Sequence, residues 1–403
     1  MNPSAPDKIC GFNRNIFFTG LVSFFMDFSS EMVYPLVPLF LSSVLGVPKS
    51  VIGLIEGIAE STASLLKVFS GWLSDRLGHR KWLMALGYGI STLSRPLIAT
   101  APNWGQVLAS RFMDRFGKGV RNAPRDALIA ESCEVPNLGR SFGFHRGMDT
   151  LGAVVGPAVA FGLLAYFNGQ YRLVFWLSMI PGALAVLIII FFIRETRACP
   201  IPEAERPRLG WRSFSGSYKF FIVVAALFSL GNSSDVFLIL RAQNVGIPLA
   251  VIPLVYLVFN VVYGLGALPA GILSDRIGPK PIIFLSFILF GFIYLGFAQA
   301  GRPAHIWLLF IAYGVFMAMT EGVQKAFLAT IIPQEFKATG FGLYNTLVGL
   351  AVLPASLIGG LLWDRVGPSA TFLYGTATAW LAAMLFLFLL LKTKRQAGHR
   401  LAP

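Results

Sequence analysis

Apolar residues run along this chain in long unbroken blocks, not in the three-and-four spacing of a helix with one wet face. Windows of about 20 mainly apolar residues, the length that crosses a hydrocarbon core as a helix, recur along the sequence. They fall near 15–43, 50–73, 82–100, 104–124, 141–166 and 173–193. After a polar, Pro-rich stretch from Arg194 to Lys219, six more fall near 220–240, 250–273, 281–299, 305–331, 340–362 and 370–391. The pattern predicts an all-α polytopic membrane protein with 12 transmembrane helices. Residues 1–193 form one six-helix bundle, 194–219 a linker, and 220–403 a second six-helix bundle with a short tail. Pro35 and Pro38 remove backbone donors and predict a broken end to the first helix. Within the linker, Leu209–Phe214 reads as a short amphipathic segment.

Composition supports this reading. Of the 403 residues, 55% are hydrophobic and 13% charged, with a mean hydropathy of +0.68. A soluble domain carries about 25% charged residues, so this chain has too few to cover a surface facing water. The net charge of +14 sits in short segments between apolar runs. That distribution excludes a nucleic-acid surface and sets a topology instead. With both termini cytoplasmic, Lys49, Arg172, Arg241, Arg302 and Arg365 fall in outer loops, and most of the other basic residues fall in inner segments. The first apolar run lacks an A-x-A cleavage site and reads as a retained span. Cys10, Cys133 and Cys199 have no ligand spacing and lie on the reducing side, which predicts neither disulfide nor metal site. No GxxxxGK[ST] loop is present, so the sequence predicts no nucleotide cofactor.

The two halves repeat. Gly71-Trp-Leu-Ser-Asp75-Arg76-Leu-Gly78 returns as Gly271-Ile-Leu-Ser-Asp275-Arg276-Ile-Gly278, at an offset of 200. Ser29-Ser30-Glu31 matches Ser233-Ser234-Asp235, and Phe142-Gly143-Phe144 matches Phe341-Gly342-Leu343. Three matches in register imply two parallel pseudo-repeats related about the membrane normal, with a site between them.

In these motifs the chain resembles the major facilitator superfamily, in particular its bacterial branch of proton-coupled efflux antiporters. Gly71, Asp75, Arg76, Gly78, Arg80 and Lys81 match the family's signature loop between helices 2 and 3, with Asp275 and Arg276 in the second copy. The resemblance implies a conformational latch in which Asp75 meets the end of helix 11 near Thr339, where a helix dipole favours an anion. Gly143, Gly152, Gly156 and Pro157 resemble the motif of proton-coupled antiporters, although Ala160-Phe161-Gly162 stands where the family continues with paired glycines. Small residues of this kind let helices pack closely. Helix 4 matches the family's Arg-x-x-Gln-Gly element loosely, with either Arg111 or Arg115 as its arginine.

Charges inside spans are costly, so each is a candidate functional residue. Asp27, Glu31, Asp114 and Asp149 are the candidates for proton coupling. Arg111, Arg115, Arg146, Asp235 and Glu321 are candidates for the substrate path, with Tyr34 and Tyr344 as aromatic neighbours. Glu56, Arg95 and Lys325, nearer helix ends, read as interfacial or snorkelling groups. His145, beside Arg146, reads as a hydrogen-bonding residue rather than a metal ligand. Of the charges within spans, only Asp235, Glu321 and Lys325 lie in the second half, so the first half carries the ion chemistry. A carboxyl buried beside an arginine has its protonation tied to which side of the membrane is open. The expected function is therefore secondary transport of a small molecule by alternating access, in the sense of proton-coupled export. The alternatives are uptake of an organic anion by symport or uniport, and a non-transporting sensor. An enzyme is not expected. The expected setting is the inner membrane of a bacterium, with lipid, a small-molecule substrate and the proton as partners, no nucleic acid, and a monomeric protein.

Overall fold

The structure is a computed structural model, and it describes residues 8–77, 79–132, 138–195, 214–332 and 337–400. A short hairpin, β1 (Lys8–Ile9) and β2 (Phe12–Asn13), leads into α1 (Arg14–Val33), where the Asn13 side chain caps the first turn by accepting from Asn15 N at 2.9 Å. The first half continues with α2 (Lys49–Leu77), α3 (Arg80–Ala99), α4 (Trp104–Glu131), α5 (Leu138–Tyr166) and α6 (Tyr171–Phe192). The seventh span is split into α7 (Gly216–Gly231) and α8 (Val236–Asn244). Then follow α9 (Ile252–Ile277), α10 (Pro279–Gln299), α11 (Pro303–Ile331), α12 (Lys337–Arg365) and α13 (Pro368–Arg400).

The twelve expected spans are thus present, with two local differences. Beyond α1, the chain proceeds through a 3₁₀ turn at Tyr34–Leu36 and a π turn at Phe40–Val44, as prolines at 35 and 38 demand. The seventh span, expected as continuous, opens between Gly231 and Val236. A Cβ at Gly231 would lie 1.5 Å from Thr378 Oγ1, and the Ser234 N–H donates to Ser356 Oγ at 3.2 Å rather than to a helical carbonyl. Side chains of Ser and Asn here offer the backbone partners outside the helix.

Among the described residues, nine helical spans are long and apolar enough to cross a membrane on that ground alone. The three that fall short are α2, α3 and α4, which carry the buried charges described below.

The chain divides into two compact units. The first comprises 1–47, 58–205 and 248–257; the second comprises 48–57, 206–247 and 258–403. In the first, α1 packs on α5 and α6, and α3 packs on α4 and α6. Val22, Met26, Met84, Tyr88, Ala185 and Ile189 form a buried cluster where α1, α3 and α6 meet. In the second, α10 packs on α11 and α13, and α7 on α12 and α13, around a core of rings. Phe228 stacks on Phe287 at 4.3 Å and Phe290 on Tyr294 at 4.0 Å between centroids. Also in the second unit, the start of α2 lies against α12, with Gly53 and Gly57 facing Ser356 and Leu353 and no room for a Cβ. There Asp364 accepts the Lys49 and Ser50 N–H groups at 3.0 and 2.7 Å, capping α2 from another helix.

Candidate functional site

The site in the first unit begins with glycines. A Cβ at Gly152 would sit 2.4 Å from Phe24 O and 3.1 Å from Asp27 Cβ. One at Gly156 would sit 2.8 Å from Glu31 Cβ. Only glycine lets α5 approach α1 this closely. The approach brings Asp149, one turn before Gly152, close to Asp27, so that the two carboxyls face each other. Two carboxyls this close repel when both are charged, and a proton on one of them relieves the repulsion. Asp149 also meets Arg146 at 3.2 Å, and Ser23 Oγ and His145 Nε2 lie 2.6 Å apart. Gly143 and Gly162 have open space around them, so only part of the expected glycine motif makes this contact.

A second glycine pair sets α3 on α4. A Cβ at Gly117 would lie 2.4 Å from Gly87 O, and one at Gly87 2.7 Å from Arg121 Cβ. This draws the charged face of α4 into the unit. A small, partly open cavity lies between α1 and α4. From α1 and the turn after it come Asp27, Ser30, Glu31 and Tyr34; from α4 come Arg111, Asp114, Arg115, Lys118 and Arg121.

The charges form a network. Asp114, 5% exposed, accepts from Arg95 Nη2 at 3.0 Å and faces Arg111 Nη1 at 3.6 Å. Arg95 Nη2 also donates to Ser30 Oγ at 2.9 Å. Arg115 Nη2 meets Glu60 Oε1 at 2.9 Å. The guanidinium groups of Arg111 and Arg115 lie 5.4 and 5.7 Å from the centre of the Tyr34 ring. Arg121 donates to Ser91 Oγ at 2.6 Å and lies 4.4 Å over the Tyr88 ring. Cations over ring faces and hydroxyls hold these groups where hydrocarbon would otherwise expel them.

The structure therefore brings together Asp27, Glu31, Tyr34, Arg111, Asp114 and Arg115, with Asp149 and Arg146 behind them. Asp235, Glu321 and Tyr344 belong to the second unit and make their own contacts there. Tyr313 donates to Asp235 at 2.6 Å, Tyr263 and Lys325 donate to Glu321, and Tyr344 donates to Gln324 at 2.5 Å. They do not line this cavity. Arg95 is corrected: it is 2% exposed and ion-paired, not a snorkelling group. Glu56 is likewise buried, at 1% exposure. Lys325 keeps its exposed position.

Arg121 was missed, because the sequence reading counts it among the cations of the inner segment although it lies within the fourth span, 104–124. The signal was present: Arg111, Asp114, Lys118 and Arg121 follow at helical spacing on one face. Of the latch motif, Arg80 pairs with Glu131 at 2.8 Å. Gly71, Asp75 and Arg76 lie on α2 and Asp275 and Arg276 on α9. Gly78, and the side chains of Asp75, Asp275 and Thr339, lie outside what the structure describes, as do Cys133, Cys199 and nearly all of the 209–214 segment.

Comparison with known proteins gives the same picture. The model of the Major Facilitator Superfamily matches residues 19–242 and 232–402. An MFS-type transporter of Methanocaldococcus jannaschii is 36% identical over 94% of this chain and 95% of its own length. A multidrug resistance efflux pump PmrA homologue of Lactococcus lactis is 25% identical over 95% and 96%. A crystal structure of a POT family transporter in complex with 5-aminolevulinic acid has a TM-score of 0.80 at 12% identity, over 97% of this chain and 98% of that one. The chain belongs to the Major Facilitator Superfamily, as a multi-pass membrane transporter.

Proposed function

We propose that this chain is a proton-coupled secondary transporter whose proton site is the Asp27–Asp149 pair and whose substrate site is the adjoining α1–α4 cavity. The observation that carries the reading is the close approach of two half-buried carboxyls, Asp27 and Asp149, enforced by Gly152. One proton held between two acidic groups is lost or gained when their access to water and to neighbouring charges changes. Alternating access supplies such a change, because the bundle that bears α1 and α5 rocks as a body and opens to one side of the membrane at a time. The protein acts as a monomer in a bacterial cytoplasmic membrane with both termini inside, the orientation that the distribution of Lys and Arg supports.

Two senses of transport follow from one cycle. A cationic substrate competes with the proton for the carboxyls, which gives exchange and export; the efflux-pump relative supports this sense. An anionic substrate binds best when the carboxyls are protonated, which gives uptake together with the proton; the basic wall of the cavity supports that one.

A growth and uptake screen of cells with and without the protein identifies a substrate. Its flux into proteoliposomes is then measured with and without an imposed pH gradient. The gradient is expected to drive flux in the wild type and to lose its effect in Asp27→Asn and Asp149→Asn. Flux indifferent to the gradient, with both variants transporting normally, would overturn proton coupling.

A further inference from the structure

The cations of the α1–α4 cavity are unevenly matched. Arg95 and Arg111 share Asp114, and Arg115 has Glu60. Lys118 and Arg121 come next along the same face of α4, one turn apart. Among the described residues, neither has a carboxylate oxygen within the 4.0 Å of an ion pair. Arg121 is 3% exposed, and its Nε has no hydrogen-bond partner. The Ser91 hydroxyl and the Tyr88 ring hold its guanidinium in place without neutralising it.

The local charge leaves the same remainder. Arg95, Arg111, Arg115, Lys118 and Arg121 stand against Asp27, Glu31, Glu60 and Asp114, leaving one cation in excess, and two when Asp27 keeps the shared proton. A charge at this depth persists where it has a mate or a task. Here, among the described residues, no carboxylate touches either cation and the neutral supports are built, which is the arrangement of an anion-binding subsite.

We propose that Lys118 and Arg121 bind an anionic group of the transported molecule, a carboxylate or a phosphate. The Tyr34 ring, flanked by Arg111 and Arg115, borders the same cavity. This rests on the reading of the cavity as the transport site. It also selects a direction of coupling. Asp27 faces Asp149, Lys118 and Glu31, while Asp149 faces Arg125, His145 and Arg146. An anion on Lys118 withdraws that cation's field from Asp27 and favours its protonated form. Anion and proton therefore bind together, and the cavity carrying one proton and a monoanion has the same net charge as the empty one. Transport of such a substrate is co-transport with the proton rather than exchange against it.

The test uses the full-length protein in detergent, with thermal unfolding followed in the presence of benzoate, inorganic phosphate, benzamide and benzyltrimethylammonium. Benzoate or phosphate is expected to raise the unfolding midpoint saturably, and benzamide and the quaternary ammonium to leave it unchanged. Response to benzoate alone assigns an organic acid, and response to phosphate alone a phosphorylated or inorganic substrate. Lys118→Gln and Arg121→Gln should each raise the half-saturating anion concentration roughly tenfold, the loss of one charge-assisted hydrogen bond. Both variants should be at least as stable as the wild type without anion, because each removes an unneutralised buried cation; Arg121→Lys should keep most of the response. The proposal is overturned if neither anion acts, if the response survives both Gln variants, or if the ammonium compound alone stabilises. Anion binding with flux indifferent to pH would remove the proton-coupling reading and leave this one. Coupled flux without anion binding would do the reverse.

Discussion

Helices α4 and α11 occupy corresponding places in the two repeats, yet their inner faces differ in kind. At the offset of 200 set by the repeated loop, Arg111, Asp114, Arg115 and Lys118 correspond to Ile311, Gly314, Val315 and Ala318. In the first unit the face of α4 is filled with ion pairs and cations over rings. In the second, α11 presents Phe316 to Phe290 at 4.9 Å and Tyr313 to Phe259 at 5.3 Å. The serine–carboxylate step diverges as well. Ser29-Ser30-Glu31 stays helical, with Ser29 donating to Ser178 O at 2.7 Å, while Ser233-Ser234-Asp235 lies where the seventh span opens. One fold thus carries two interiors: an aromatic core that gains stability from burial, and a charged interior whose cost is borne for chemistry.

If this contrast holds, breaking an ion pair should hurt far more in the first unit than in the second. Arg95→Met leaves Asp114 buried with only the looser contact to Arg111, and unfolding in detergent should show a loss of about 3–5 kcal/mol. The exposed Lys325–Glu321 pair is its counterpart, and Lys325→Met should change stability by about 0.5 kcal/mol or less. Equal effects would erase the distinction. The glycine contact gives a sharper comparison within one helix. Gly152→Val drives a side chain into the Phe24 carbonyl and should cost about 1–3 kcal/mol and detach Asp149 from Asp27. Gly162→Val, in open space, should stay within about 0.5 kcal/mol apart from its helix propensity. A smaller loss than for Arg95→Met is expected in the second unit where a carboxylate only caps a helix. Asp364→Ala should cost about 1 kcal/mol and leave any proton response intact.

How far these features were legible in the sequence depends on their range. The spans and the repeats are read directly, because hydropathy over about 20 residues is a local property. The charged stripe of α4 is also local, and its spacing identifies Arg111, Asp114 and Arg115. Arg121 escaped because, close to the inner end of its expected span, it was counted with the loop cations, although α4 runs on to Glu131. Arg95 was misread because its mate, Asp114, lies on another helix, and sequence position alone placed it near an interface. Of the α5 glycines read for close packing, Gly152 and Gly156 meet α1 and Gly143 does not, and nothing in the sequence says that α1 receives them or that Asp27 and Asp149 meet there. The break in the seventh span lies beside the contact of Gly231 with Thr378, which are nearly 150 residues apart in the chain and so not paired by local pattern.

The claim on which the account turns is that Asp27 and Asp149 hold one proton between them. Infrared spectroscopy of the purified protein at neutral pH tests it directly, through the C=O stretch of a protonated carboxyl. The account predicts one such band, shifted on exchange into deuterium oxide and altered or lost in both Asp27→Asn and Asp149→Asn, while Asp235→Asn keeps it. A spectrum without a protonated carboxyl, or with one indifferent to both first-unit variants, would contradict it.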